Sequence, residues 1–217
     1  MSANHAAFNL IFRFVENYVS PIAGRISSQR HVMAIRDGFI SAMPFMIVGS
    51  FLLVFAYPPF SPDTTWGFAR AWLDMAKQFE GQILTPFDMT MGVMSLYICA
   101  AIAYNLGKHY VKTHQLDPFM CAMLSLMAFL LVAAPKTKGA LPVDSLGGTG
   151  IFTAILVAIY CVEMMRFLKA HNIGIRLPDQ VPPMIKNSFD LLIPVLVVVL
   201  TLYPLSLLIQ SQFGMLI

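Results

Sequence analysis

Apolar and polar positions along this chain separate into long blocks instead of alternating, and the length of the apolar blocks carries the first inference. Between residues 38 and 57 the chain reads "GFISAMPFMIVGSFLLVFAY", without one formally charged side chain. A helix rising about 1.5 Å per residue needs roughly 20 residues to cross about 30 Å of hydrocarbon. Five segments reach that scale: 38–57, 89–107, 118–135, 151–169 and 191–210. The pattern predicts an all-α polytopic membrane bundle of about five transmembrane helices. Pro44 falls in the second turn of the first span, where few hydrogen bonds are lost and neighbouring helices compensate.

The connections have their own patterns. Phe8, Ile11, Phe12, Phe14, Val15 and Val19 follow helical spacing and predict an amphipathic helix lying on the membrane surface, ended by Pro21 and Gly24. Residues 1–36 therefore read as a cytoplasmic amphipathic segment, and 37–217 as the membrane domain. After the first span, "YPPFSPDTTW" is a proline-broken exit, with Trp66, Phe68 and Trp72 placed at headgroup depth. The 146–150 stretch "LGGTG" lacks the G-K-[ST] ending of a phosphate loop and reads as a flexible turn.

Composition agrees with the blocks. The chain is 58% hydrophobic and 12% charged, half the charge of an average soluble domain at about 25%. Its mean hydropathy is +0.71. Too few charges remain to coat a water-soluble surface of this size, and no nucleic-acid partner is expected. The first apolar run exceeds a signal-peptide core of about 7–15 residues, so it is expected to stay as an anchor. Lys and Arg fix the expected orientation. With the amino terminus cytoplasmic, ten of the cations that flank the spans fall on the cytoplasmic face and four on the other.

Two stripes of small residues mark helices that pack closely: Ser95, Cys99, Ala103 and Gly107, and Gly150, Ala154 and Ala158. They predict burial in a bundle or in a subunit interface. Cys99, Cys121 and Cys161 have no metal or redox spacing and read as buried free thiols.

Candidate chemistry is sparse. No catalytic motif, metal site or cofactor site is found, and His5, His31, His109, His114 and His171 read as interfacial or solvated. Arg36 and Asp37 form a charged doublet at the entrance of the first span, expected to fix the corner between surface helix and spanning helix. Glu163 lies inside the fourth span, where ionisable groups are costly. It pairs with Arg166 on the same helix face, or it serves transport coupling; the sequence leaves both open. Lys108, Lys112, Arg166, Lys169 and Arg176 are candidates for steering a phosphoryl-carrying partner, although positive-inside bias alone also accounts for them.

Two long stretches carry a family resemblance. Residues 29–51, "QRHVMAIRDGFISAMPFMIVGSF", and 162–194, "VEMMRFLKAHNIGIRLPDQVPPMIKNSFDLLIP", resemble the membrane component, enzyme IIC, of bacterial sugar phosphotransferase systems. The branch is that of lactose, cellobiose and diacetylchitobiose. The resemblance implies a homodimeric inner-membrane channel for a disaccharide, which a cytoplasmic IIB phosphocarrier phosphorylates on delivery. It also implies that these spans build scaffold and dimer interface, while sugar-binding residues belong to a later half. No sugar-binding residue is therefore assigned here, and the chain is expected to be a fragment or a truncated product. A non-transporting membrane scaffold is the alternative reading.

Overall fold

The structure is a computed structural model that describes residues 15–134, 145–175 and 189–213, with Pro178, Gln180, Pro182 and Ile185. Most of the expected surface helix, His5, Lys136, Lys138, Arg176, Lys186 and residues 214–217 lie outside the described residues. A π-turn, Val15–Val19, leads into the exposed helix α1, Ser20–Ser27. Pro21 and Gly24 do not end it. Proline in a first turn gives up an N–H that has no helical partner anyway. The break comes at Gln29, whose backbone is extended (φ −68°, ψ 135°).

Helix α2, Arg30–Ala56, covers the first predicted span but starts well before it. Charged residues bound the lipid-exposed part of a helix, not the helix itself, so the sequence placed its start too late. Arg36 and Asp37 consequently lie within α2 and not at its corner. Pro44 is mid-helix rather than in a second turn, and the helix passes through it. The buried face of α2 is made of small residues: Ala34, Gly38, Ala42, Gly49 and Ala56.

Helix α3, Gly67–Asp88, was not foreseen. Arg70, Asp74, Lys77 and Glu80 break its hydropathy, yet Ala69, Trp72, Ala76 and Ile83 keep a helical period along one side. It bends at Phe79 (φ −112°, ψ 15°) and packs on the end of α2. There the Trp72 indole N–H donates to the Phe55 carbonyl at 3.2 Å. Phe55, Phe60, Trp66, Phe68 and Trp72 form one aromatic cluster, with centroids 5.6–5.9 Å apart. The Tyr57 phenol donates to Glu80 at 2.9 Å. That bond, reinforced by the carboxylate's charge, raises the pKa of this exposed tyrosine.

Helices α4 (Met94–His114), α5 (Pro118–Ala133), α6 (Ile151–Ala170) and α7 (Leu192–Phe213) complete the described bundle. Helix α4 lies at its centre, against α2, α5 and α6. It begins after the predicted start at Met89 and continues through Lys108 and Lys112 to a left-handed cap at Gln115 (φ 52°). Asp117 caps α5 by accepting from the Phe119 N–H at 2.9 Å.

Among the described residues three stretches are long and apolar enough to cross a membrane: Arg30–Ala56, Gly148–Ala170 and Leu192–Gln212; Pro118–Ala133 is apolar but shorter. Large apolar side chains point outward from them, with Phe51 64%, Phe152 81% and Leu200 64% exposed. Inside, small residues where helices approach most closely alternate with large apolar ones such as Ile98, Ile102, Leu106 and Phe129. The chain is an all-α, multi-helix membrane protein.

Both predicted small-residue stripes are used inside the chain, not between subunits. Gly107 lets the Pro118 backbone and the Cys121 sulfur come so close that a Cβ there would stand 3.1 Å from each. The Cys99 thiol reaches the Ser125 carbonyl at 3.5 Å. Gly150 fits against the Ser95 hydroxyl and the Phe129 ring. The three cysteines are buried and free. The glycine-rich turn is also packed rather than loose. Gly148–Gly150 forms a 3-10 turn, and the Leu146 carbonyl accepts from both the backbone N–H (3.0 Å) and the hydroxyl of Ser95.

Candidate functional site

Antiparallel packing brings the first turn of α2 and the last turns of α4 and α6 to one end of the bundle. Glu163 of α6 is 24% exposed in its side chain and stands between them. Its Oε1 accepts from the Tyr110 hydroxyl of α4 at 2.6 Å and lies 3.0 Å from His31 Nε2 of α2. Its Oε2 accepts from Arg166 Nε at 2.8 Å. The i,i+3 spacing aims Arg166 back at Glu163, the contact expected under one of the two readings the sequence left open. His31 and Tyr110 were missed, because partners so distant in sequence leave no local periodic signal. For Tyr110, the one available cue is a phenol on the otherwise apolar face of a core helix.

Around this carboxylate the cations gather. Tyr110 is 1% exposed, and its ring lies 5.2 Å from the Arg166 guanidinium carbon and 5.7 Å from that of Arg30. The His114 ring meets its edge at 5.6 Å. A cation near an aromatic face within about 6 Å is attracted by the ring quadrupole, so Tyr110 ties its neighbours together through both hydroxyl and ring. Both carboxylate oxygens are engaged. The arrangement is suited to holding three helices in register rather than to taking a proton from a substrate.

A second tie lies beside it. Lys169 of α6 donates to Asp190 at 2.9 Å and to the Gln115 carbonyl at 3.2 Å, linking α6 to the α4–α5 turn and to the approach to α7. Arg36 and Asp37 form a separate pair at 2.8 Å, with side chains 62% and 37% exposed, and share no bond with Glu163. Of the five basic docking candidates, Arg166 and Lys169 are therefore held by carboxylates. Lys108 lies over the Tyr104 ring at 4.4 Å, Lys112 is exposed, and Arg176 is outside the described residues. His171 hydrogen-bonds the Phe167 carbonyl at 2.9 Å. Among the described residues no group of His, Cys, Asp or Glu has the arrangement to hold a metal ion.

Comparison with known proteins agrees with this architecture. The family described as Phosphotransferase system, EIIC matches residues 36–217. The chain is 37% identical to the PTS system cellobiose-specific EIIC component of Geobacillus stearothermophilus, over 86% of this chain and 43% of that protein. It is 33% identical to the lichenan permease IIC component of Bacillus subtilis (strain 168), over 94% of this chain and 46% of that one. The crystal structure of the transporter ChbC, the IIC component of the N,N'-diacetylchitobiose-specific phosphotransferase system, superposes with a TM-score of 0.76. That match has 33% identity and covers 93% of this chain and 48% of ChbC. The chain thus spans less than half the length of these relatives. With its matched family region and its shared helical scaffold, this chain belongs to the EIIC family of the phosphotransferase system.

Proposed function

We propose that this chain supplies the helical scaffold of a phosphotransferase-system sugar permease. Such a permease carries a disaccharide of the cellobiose, diacetylchitobiose or lactose type through the bacterial inner membrane. A cytoplasmic IIB phosphocarrier then phosphorylates the sugar, trapping it inside. The superposition on ChbC over 93% of this chain is the observation that carries the reading. The relatives named for cellobiose and lichenan support the sugar class.

In this reading α2, α4, α5, α6 and α7 cross the bilayer, with the amino terminus and the Glu163 end in the cytoplasm. The positive-inside balance supports that orientation. The central position of α4 supports its crossing despite modest hydropathy, because neighbouring helices cover its polar groups. The 16-residue α5 would measure about 24 Å and crosses only where the bilayer thins or its flanks extend it. Two copies pair through outward-facing apolar surfaces, since the small-residue stripes are already occupied.

Glu163 and Arg166 serve here as a clasp with His31 and Tyr110, not as a coupling pair. The test uses the full-length transporter in inside-out and right-side-out vesicles supplied with phosphoenolpyruvate, IIB and the soluble relay proteins that carry the phosphoryl group between them. Wild type accumulates phosphorylated disaccharide. Glu163→Gln is expected to keep at least half of that rate while unfolding at lower temperature. Loss of transport in a folded Glu163→Gln protein would return the residue to coupling. No disaccharide phosphorylation by wild type would overturn the permease reading.

A further inference from the structure

Beside the clasp, a groove of about 340 Å³ opens on the outer surface between α2, α4 and α5. Its walls pass from charged to apolar along one direction. At one end the Lys108 ammonium lies over the Tyr104 ring at 4.4 Å, with Asn105 beside it. Ser41 follows on the α2 side, its hydroxyl donating to the Asp37 carbonyl at 2.7 Å. Toward the other end the lining becomes Ala101 and the Phe45–Tyr97 pair, stacked with centroids 4.3 Å apart.

We propose that this groove binds one phospholipid, with its phosphate on Lys108 and one acyl chain running past Ala101 to the Phe45–Tyr97 stack. Depth supports the assignment. The Arg36–Asp37 pair and the uncharged helix beyond it mark where water gives way to hydrocarbon on α2. From Asp37 to Phe45 the helix rises about 12 Å, most of the roughly 15 Å belonging to one leaflet. The polar end of the groove is therefore level with headgroups, and its apolar end approaches the middle of the bilayer.

Charge points the same way. Arg36 and Asp37 neutralise each other at 2.8 Å, while among the described residues Lys108 is held by an aromatic face and by no carboxylate. The mouth thus presents one net positive charge, matched to a phosphodiester. A cationic side chain that snorkels to the interface from an apolar wall is the arrangement expected for that contact.

The experiment is native mass spectrometry of the delipidated, detergent-solubilised chain, titrated with phosphatidylglycerol or with diacylglycerol of the same acyl chains. Wild type is expected to hold one phosphatidylglycerol per chain at least tenfold more tightly than diacylglycerol. Lys108→Gln should remove that preference, and Ala101→Phe should weaken both lipids by filling the channel. Lys77→Gln, on α3, should behave as wild type. Lys108→Gln is the informative variant should Ala101→Phe fail to fold. Unchanged phosphatidylglycerol preference in Lys108→Gln, or equal binding of both lipids by wild type, would overturn the site. So would a lipid-free dimer that Lys108→Gln dissociates, which would assign the groove to a second copy.

Discussion

Arg36–Asp37 and Glu163–Arg166 look alike as charge pairs in sequence, but their surroundings give them different weight. The first pair is exposed, and exposed pairs contribute roughly 0.2–1 kcal/mol. The second meets the hydroxyl of a buried tyrosine, and a hydrogen bond to a charged group contributes about 1.5–3 kcal/mol. Tyr110→Phe is therefore expected to lower stability by about 1.5–3 kcal/mol, and Asp37→Asn by less than about 1 kcal/mol. Denaturant unfolding in detergent micelles measures both, and equal losses would refute the ranking. The Glu163–Arg166 contact was legible, since three residues along a helix make neighbours. His31 and Tyr110 were not, because they reach Glu163 only once α2 and α4 have packed against α6.

Helices were easier to find than to delimit. Runs without charge located α2, α5, α6 and α7, because lipid tolerates few charges, but helical hydrogen bonding continues into water. That is why α2 includes Arg30 and Arg36, and α4 includes Lys108 and Lys112. Helix α3 escaped because its charges hid an amphipathic period. The small face of α2 was readable in Ala34, Gly38 and Ala42, at the same spacing as the stripes that were noticed. Its cause is steric: a Cβ at Gly38 would stand 2.9 Å from the Ile102 backbone nitrogen. Gly38→Ala should accordingly part α2 from α4 at a cost of about 1–3 kcal/mol. Gly81→Ala meets no atom within 4 Å and should be neutral or stabilising by up to about 1 kcal/mol. Comparing the two unfolding midpoints checks the argument, which fails if Gly38→Ala is the milder change.

For the molecule as a whole, an outward apolar surface and small residues at the close helix contacts follow from lipid replacing water as the outer solvent. Close packing then has to supply what hydrophobic burial supplies in water. The basic clasp at one end and the aromatic cluster of α2 and α3 at the other give the bundle two chemically distinct ends. Composition and run length made the membrane class legible, and two long sequence stretches made the family legible. The internal use of the stripes emerged only with the helices assembled.

The most direct test of this account is cysteine accessibility in intact cells, since the native cysteines are buried. Single variants Ser61→Cys, Gln115→Cys, Asn172→Cys and Gln212→Cys would be treated with a membrane-impermeant maleimide before and after permeabilisation. Five crossings with the Glu163 end inside predict immediate labelling at Ser61 and Gln212, and labelling at Gln115 and Asn172 only after permeabilisation. Labelling of Gln115 or Asn172 in sealed cells, or protection of Ser61, would contradict it.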